Sequence, residues 1–436
     1  MRSTPITVPD ETRDLLRFID ASPSPYHAAR NAADRLVAGG FTALDPMAAW
    51  PAGVRRGVVT DGGALVAWSA PAGSPPDAPF RIVGAHTDSP NLRVKAKPDV
   101  GRAGWRQIGV EVYGGALVNS WLDRDLGISG RVAVRDGESP RGHREVLVKI
   151  DRPLLRVPQL AIHLDREINE KGLQLNKQQH LVPVWGLGAR RPGELVELVA
   201  DEAGVAWHEV LGWDLMLHDL TPSAVGGASD ELIFAPRLDN LLSSHAGLVA
   251  MERLAPASSD AIAVLCLFDH EEVGSTTATG AAGTLLARLL EQSVAARGGD
   301  RAAFLRALSR STCVSADMAH ATHPNYAERH EPDHLITLDG GPVIKINANQ
   351  RYASDATSVA TFQLACDDAG VPTQRYIHRT DLACGSTIGP ITAAGLAVST
   401  VDVGVPQLSM HSARELASST EPARFIAALT AFLSPA

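Results

Sequence analysis

Apolar and polar positions along the chain fall into three textures, and each predicts a different kind of element. The first is helical: after an opening helix, "SPSPYHAARNAADRLVAGGF" has a Ser/Pro start, apolar residues at helical spacing and a Gly-Gly stop. "ALVAWSA" and "RIVGAHTD" then read as strands on either side of the loop "PAGSPPDAP", the second a short apolar run suited to a buried sheet position. From about Lys95 to Ala235, "VEVYGG", "GRVAVRDG", "REVLVKID" and "WDLMLHDL" alternate apolar with polar residues between Gly-rich turns, the pattern of half-buried antiparallel strands, and "GELVELVADEAG" adds one helix. From Pro236 onward helix and strand alternate: "NLLSSHAGLVAMERLA", "AIAVLCLFDH", "GTLLARLLEQSVAARGG", "CVSADMA", "PVIKINA", "ATSVATFQLACDDAG", "TQRYIH" and "AVSTVDVG", closed by a predicted helix over "SARELASSTEPARFIAALTAFL". This alternation predicts an α/β fold with a mainly parallel sheet flanked by helices. "RIVGAH" belongs to that sheet, so the main domain comes in two parts, 1–94 and 236–436, around a β-rich insert, 95–235. No repeat of 20–50 residues interrupts the reading.

Composition adds exclusions. Hydrophobic residues at 45% and charged residues at 20% describe a folded globular chain rather than a disordered or fibrous one. A net charge of −9 with no basic stripe argues against nucleic acid as a partner. Cys266, Cys313, Cys366 and Cys384 lie far apart, three of them in apolar runs, which predicts buried reduced thiols and a cytoplasmic address. "MRSTPITVPDETRDLL" lacks the apolar region of a secretory signal, so export is not indicated. The uncharged stretch from Leu382 to Val401 contains Gly, Ser, Thr and Pro, so it reads as a buried helix followed by a strand rather than a membrane span.

Five segments place His, Asp or Glu at the end of an apolar strand or the start of a helix: "GAHTDSP", "PRLDNLL", "FDHEEVGS", "SADMAHATHPNY" and "LSMHSARE". In open α/β sheets that edge is where ligands gather. Taken singly, each has a bland reading. Asp317 is a helix cap, His86 a satisfied core histidine, Asp239 a partner of Arg237, and His411 a helix cap. Together, His86, Asp239, Glu272, Asp317 and His411 form a nitrogen and oxygen set suited to Zn²⁺, or to Mn²⁺ or Co²⁺, and too large for one tetrahedral ion. Two divalent ions would bring four positive charges against the four negative ones of these three carboxylates and Glu271. Adjacent ionised acids at the end of a buried strand repel each other and lose hydration, which cations relieve. Neighbouring side chains leaving a strand diverge, so one glutamate can bind metal while the other faces a bound water. Asp88, two residues beyond His86, can hold the far nitrogen of that ring or the backbone.

The segments "GAHTDSPNLRVK", "PQLAIHL", "PRLDN", "DHEEVGS", "SADMAHATHPNY", "KINANQRYA", "GSTIGP" and "MHSARE", in this order from about Arg81 to Glu415, resemble the signature segments of the M18 metallopeptidases, the aspartyl aminopeptidases. The resemblance implies a zinc-peptidase α/β domain interrupted by a β-rich dimerisation domain, with dimers assembled into a dodecamer. It implies two zinc ions per subunit, Asp239 bridging them, His86 and Asp317 completing one site and Glu272 and His411 the other. Glu271 is then the general base and Asp88 the orienter of His86. His163, His320, Lys345 and Tyr352 map to substrate contacts, with His163 presented to a neighbouring subunit. From the residues alone Lys345 reads as a surface lysine and His163 as a fold residue.

The implied reaction is removal of N-terminal acidic residues, Asp and then Glu, from peptides by metal-activated water. An aminopeptidase of neutral-residue specificity shares every metal ligand with it, and substrate preference separates the two. A non-catalytic oligomeric scaffold is the other class of reading; it has no use for Glu271, which this chain has. A serine hydrolase lacks support, since "CGSTIG" does not have G-x-S-x-G spacing.

Overall fold

The computed structural model describes residues 6–254 and 260–435. The first five residues of the N-terminal segment, and Ala255 at the end of the helix predicted after Pro236, lie outside the described residues. The chain groups into two compact units. One comprises Met1–Asp88, Ser223–Met410 and Glu415–Ala436; the other comprises Ser89–Pro222 and His411–Arg414.

In the first unit the long apolar runs become the middle of a nine-stranded sheet. Four neighbouring strands, Ile262–Phe268, Phe80–His86, Thr312–Ala316 and Ser399–Gly404, are mutually parallel. Antiparallel partners Ala64–Ser69 and Val343–Ile346 flank this block. Because side chains alternate across a strand, each run feeds two cores. Val83, Ala85, Leu265 and Leu267 pack with helices Asp10–Ala21, Pro25–Ala38, Leu238–Glu252, Ala356–Asp368 and Glu421–Leu433 on one face. Phe80, Ile82, Val264, Cys266 and Phe268 pack with helices Leu285–Ala296, Arg301–Leu308 and Ile388–Leu396 on the other. Each such fully buried large side chain contributes roughly 1.5–3 kcal/mol. A five-stranded sheet, Ala224–Gly226, Leu232–Ala235, Glu415–Ser418, Pro406–Leu408 and Ala319–His320, completes this unit.

The second unit is built on an antiparallel six-stranded sheet ordered His143–Leu155, Leu126–Arg135, Val210–Asp219, Asn91–Arg102, Trp105–Tyr113 and Val184–Leu187. Its own core includes Leu92, Ile108, Val132, Val148 and Leu215, with Leu195 and Val199 from the helix Glu194–Ala203.

Local punctuation behaves as the sequence predicts. Ser24 caps the Pro25–Ala38 helix by accepting the His27 N–H, Pro25 stands at its first turn, and Gly204 ends the Glu194–Ala203 helix in a left-handed conformation. Leu382–Val401 contains the helix Ile388–Leu396 and the start of a strand, and among the described residues no helix is long and apolar enough to cross a membrane.

Two expectations change. The final predicted helix is a strand, Glu415–Ser418, followed by a helix, Glu421–Leu433. Glu415 and Ala417 are buried in the sheet, so period-2 burial wins over the helical spacing that continues beyond Ser418. The compact units also divide at Ser89 and Ser223 instead of Lys95 and Pro236. Asn91 already pairs with Tyr113 in the antiparallel sheet, before the alternating texture begins, whereas Leu232–Ala235 pairs with Glu415–Ser418 in the other unit.

The helix Leu238–Glu252 lies directly on the parallel strands because Gly247 has no side chain. A Cβ there would stand 2.6 Å from Leu265 Cδ1 and 3.2 Å from Val83 Cγ1. Replacing Gly247 by Val should therefore cost about 1–3 kcal/mol through overpacking, read as a lowered unfolding midpoint in calorimetry.

Candidate active site

The parallel block delivers its polar residues to one edge. The Phe80–His86 strand ends in His86, Ile262–Phe268 runs into Glu271 and Glu272, and Thr312–Ala316 runs into Asp317. The start of the Leu238–Glu252 helix supplies Asp239, where Asp239 and Asn240 depart from helical dihedrals. Buried side chains of that helix tie its first turns to the strand ends. Asn240 Nδ2 donates to the Ala316 carbonyl at 2.8 Å, and Ser244 Oγ donates to the His86 carbonyl at 2.7 Å. Asp239 N–H is in turn accepted by the buried Glu415 carboxylate at 3.0 Å.

His86 is the centre of the cluster. Its Nε2 lies 3.4 Å from Asp239 Oδ1, 3.4 Å from Asp317 Oδ1 and 4.0 Å from Glu271 Oε2. Its Nδ1 lies 3.0 Å from the Asp88 carbonyl, so Nδ1 carries a proton and Nε2 is the nitrogen that faces the carboxylates. Asp88 has no exposed surface, and its carboxylate stands 3.5 Å from Nδ1 of the same ring. One of its carboxylate oxygens accepts the Glu271 N–H and the other accepts the Glu272 N–H, both at 3.1 Å. The tight turn Glu271–Val273, entered through His270 at φ 64°, is thereby fixed from below by a single carboxylate.

This donor set fits a metal. His86, Asp239 and Asp317 form one group with donor atoms within 4.8 Å of one another, and His86, Glu271 and Glu272 form a second. A tetrahedral ion with bonds of about 2.1 Å holds its ligands about 3.4 Å apart, the spacing found around His86 Nε2. The electrostatics point the same way. Burial pulls the His86 imidazole down, yet the Asp239, Asp317 and Asp88 carboxylates outweigh it and hold the ring well above the ordinary histidine range. Burial pushes Glu271 up, His86 opposes the rise, and Asp317, Glu272 and Asp239 add to it, so the carboxyl reaches about 8. The cluster recruits positive charge.

Beside it, Lys345 is buried at 2% exposure, which corrects the surface reading. Its ammonium donates to the Met318 carbonyl at 3.2 Å, lies 3.5 Å from Asp317 Oδ2, and sits 5.3 Å from the centre of the Tyr352 ring. The Tyr376 ring packs edge-on to both Tyr352 and His320, and its hydroxyl lies 2.6 Å from His378 Nδ1. His320 keeps an exposed surface, yet desolvation by the surrounding protein, with Lys345 and His378 adding to it, brings its ring down to about 4, neutral at physiological pH.

Two predicted site residues fall in the second unit. His411 belongs to the His411–Arg414 segment, where its Nδ1 lies 3.2 Å from the Gly115 carbonyl and its own carbonyl accepts the Leu117 N–H. His163 is exposed in the short helical turn Ile162–Leu164, between the exposed side chains of Leu160, Ile162 and Leu164. Residues that sequence reasoning passed over are Asn240, Ser244 and Glu415. The first two stand in an apolar helix as unexplained polar positions, and Glu415 lies in a quoted signature segment without an assigned role.

A His and carboxylate cluster at the carboxyl edge of a parallel sheet is the hallmark of an α/β metalloenzyme. Residues 18–433 match the family model described as aminopeptidase I zinc metalloprotease (M18). The chain is 53% identical over 427 residues to the probable M18 family aminopeptidase 2 of Streptomyces coelicolor, covering 97% of this chain and 98% of that one. It superposes on a chain from the cryo-EM structure of the Ape4 and Nbr1 complex with a TM-score of 0.92 and 36% identity, covering 97% of this chain and 85% of that one. The S. cerevisiae mApe1 dodecamer matches with a TM-score of 0.84 and 26% identity, over 97% of this chain and 96% of that one. The chain belongs to the M18 family of zinc metallo-aminopeptidases.

Replacing Asp88 by Ala removes the acceptor of two glutamate amides and a partner of His86. Zinc affinity should fall about 10–100-fold, measured by competition with a chromogenic chelator.

Proposed function

We propose that the protein removes acidic residues, Asp and then Glu, from the N-termini of peptides with two divalent metal ions per subunit. The observation that carries the reading is the gathering of His86, Asp239, Asp317, Glu271 and Glu272 around one strand edge, with Asp88 bonded to both glutamate amides. Asp239 would bridge the ions, with His86 and Asp317 on one and Glu272 and His411 on the other. Zinc, or in substitution manganese or cobalt, held by these residues would lower the pKa of a water and polarise the scissile carbonyl.

The chain's own groups do the rest. Glu271 takes the proton of the attacking water and returns it to the leaving amine. Asp88 keeps the turn rigid, so Glu271 and Glu272 hold separate tasks. The negative cluster receives the free α-amino group, which restricts cleavage to chain ends. His320, neutral at physiological pH, and Tyr352, whose phenol burial keeps protonated, are donors suited to the developing oxyanion. Lys345 reads the acidic side chain of the substrate.

The β-rich unit would serve as the dimerisation domain of a dodecamer, with His163 reaching a neighbouring subunit. Exposed Leu160, Ile162 and Leu164 around His163, and the dodecameric assembly named for yeast mApe1, support this part. The free cysteines, three of them buried, fit a cytoplasmic address.

One observation favours a second reading. The Lys345 ammonium already faces the Asp317 carboxylate, which lessens its pull on a substrate acid and suits neutral N-terminal residues better. Kinetics on peptides beginning with Asp, Glu or Leu decide between the two. Asp is expected to give the highest kcat/KM, and a preference for Leu would overturn the role of Lys345.

Glu271→Gln should keep both metals while kcat falls about a hundred- to ten-thousand-fold. Turnover near wild type would remove Glu271 as the base; loss of metal would exchange the roles of Glu271 and Glu272.

A further inference from the structure

Asp402 stands in the middle of the sheet, on the strand Ser399–Gly404, with no exposed surface. A buried carboxylate is costly unless its oxygens are hydrogen-bonded, and here each oxygen has a donor from a different segment. Thr387 Oγ1 donates to Oδ1 at 2.6 Å, and Ala353 N–H donates to Oδ2 at 2.6 Å. The Asp402 N–H donates to Ser354 Oγ at 2.9 Å. Thr387 is also the N-cap of the helix Ile388–Leu396 and accepts the Gly389 N–H. Any side chain at Gly389 would overlap the Asp402 carboxylate, so a glycine is required for this approach.

The segments held in this way are those beside the proposed specificity groups. Ala353 follows Tyr352. Lys345 lies on the neighbouring strand, where the antiparallel register of Val343 with Gly404 and Ile344 with Val403 makes Lys345 the next residue opposite Asp402. Residues opposite each other in such a ladder share a face of the sheet. Lys345 thus stands near Asp317 on one side and Asp402 on the other, and its charge is felt at Asp402.

We propose that Asp402 is a positioning residue for substrate selection. By anchoring Ala353 and Thr387 and flanking Lys345, it fixes the Tyr352 ring and the Lys345 ammonium in the geometry that reads an acidic N-terminal side chain, without touching the metal cluster. The inference rests on the acidic specificity proposed above.

The isosteric change Asp402→Asn isolates this role. An amide can still accept the Ala353 N–H through its oxygen, but its NH₂ turns the Thr387 hydroxyl from donor to acceptor, so neutral contacts replace the two charge-assisted anchors. Thr387→Val removes the same hydroxyl while leaving Asp402 in place. The experiment measures zinc content, and kcat and KM on peptides beginning with Asp or Leu, in the full-length wild type and both variants. With zinc content unchanged, Asp402→Asn is expected to raise KM for the Asp substrate and lower the Asp-to-Leu ratio of kcat/KM roughly tenfold or more, the scale of losing a charge-assisted hydrogen bond. Thr387→Val should shift the ratio in the same direction by less, and it decides the matter if Asp402→Asn does not fold. A wild type without acid preference overturns the proposed specificity itself. A wild type with that preference and variants that keep the same Asp-to-Leu ratio, whether fully active or slowed equally on both substrates, overturns the role of Asp402 alone.

Discussion

The site depends on one buried carboxylate that carries no metal in any reading. Asp88 accepts an amide hydrogen from each of two consecutive glutamates and stands against the ring of His86, so the glutamate turn and the histidine meet at one group. Two adjacent acids on a short turn would otherwise diverge or seek solvent, because mutual repulsion and burial both disfavour holding them together. Fixing their backbone, not their side chains, leaves both carboxylates available for chemistry.

Around that anchor the architecture concentrates negative charge and then limits its freedom. The four parallel strands point their carboxyl ends the same way, and the helix Leu238–Glu252 is tied to two of those ends through Asn240 and Ser244. Each bond joins positions far apart in the sequence. Both are buried, where an unmade hydrogen bond costs more than a made one contributes, so they act as constraints on register rather than as sources of stability.

Much of this was legible in the sequence, and the failures have physical causes. Apolar runs punctuated by Gly, Ser and Pro revealed the alternation of helix and strand, and four of the five polar segments at the ends of those runs supply the residues that meet at one sheet edge. Lys345 misled because "PVIKINA" records an alternation of side chains without saying which face of the strand is enclosed; the residues covering it come from segments far away in sequence. Glu415 was hidden inside a helical pattern that belongs only to the residues after Ser418. Asp402 left a readable signal, an acid between valines in a buried strand, but its donors Ala353 and Thr387 meet only when the sheet forms. Burial of a charge shows in sequence as an anomaly; its reason lies in contacts that sequence does not order.

The four-residue segment His411–Arg414 changes what kind of object the β-rich unit is. Met410 before it and Glu415 after it belong to the α/β unit, while the segment itself is held by Leu117 N–H on the His411 carbonyl and by Ser120 Oγ on the Ala413 N–H. A module inserted between two points of a chain can in principle be trimmed or exchanged by cutting at those points. This one cannot, because a stretch nearly 200 residues downstream is part of its fabric. Any graft of the insert into another chain of this fold has to carry "HSAR" along with it.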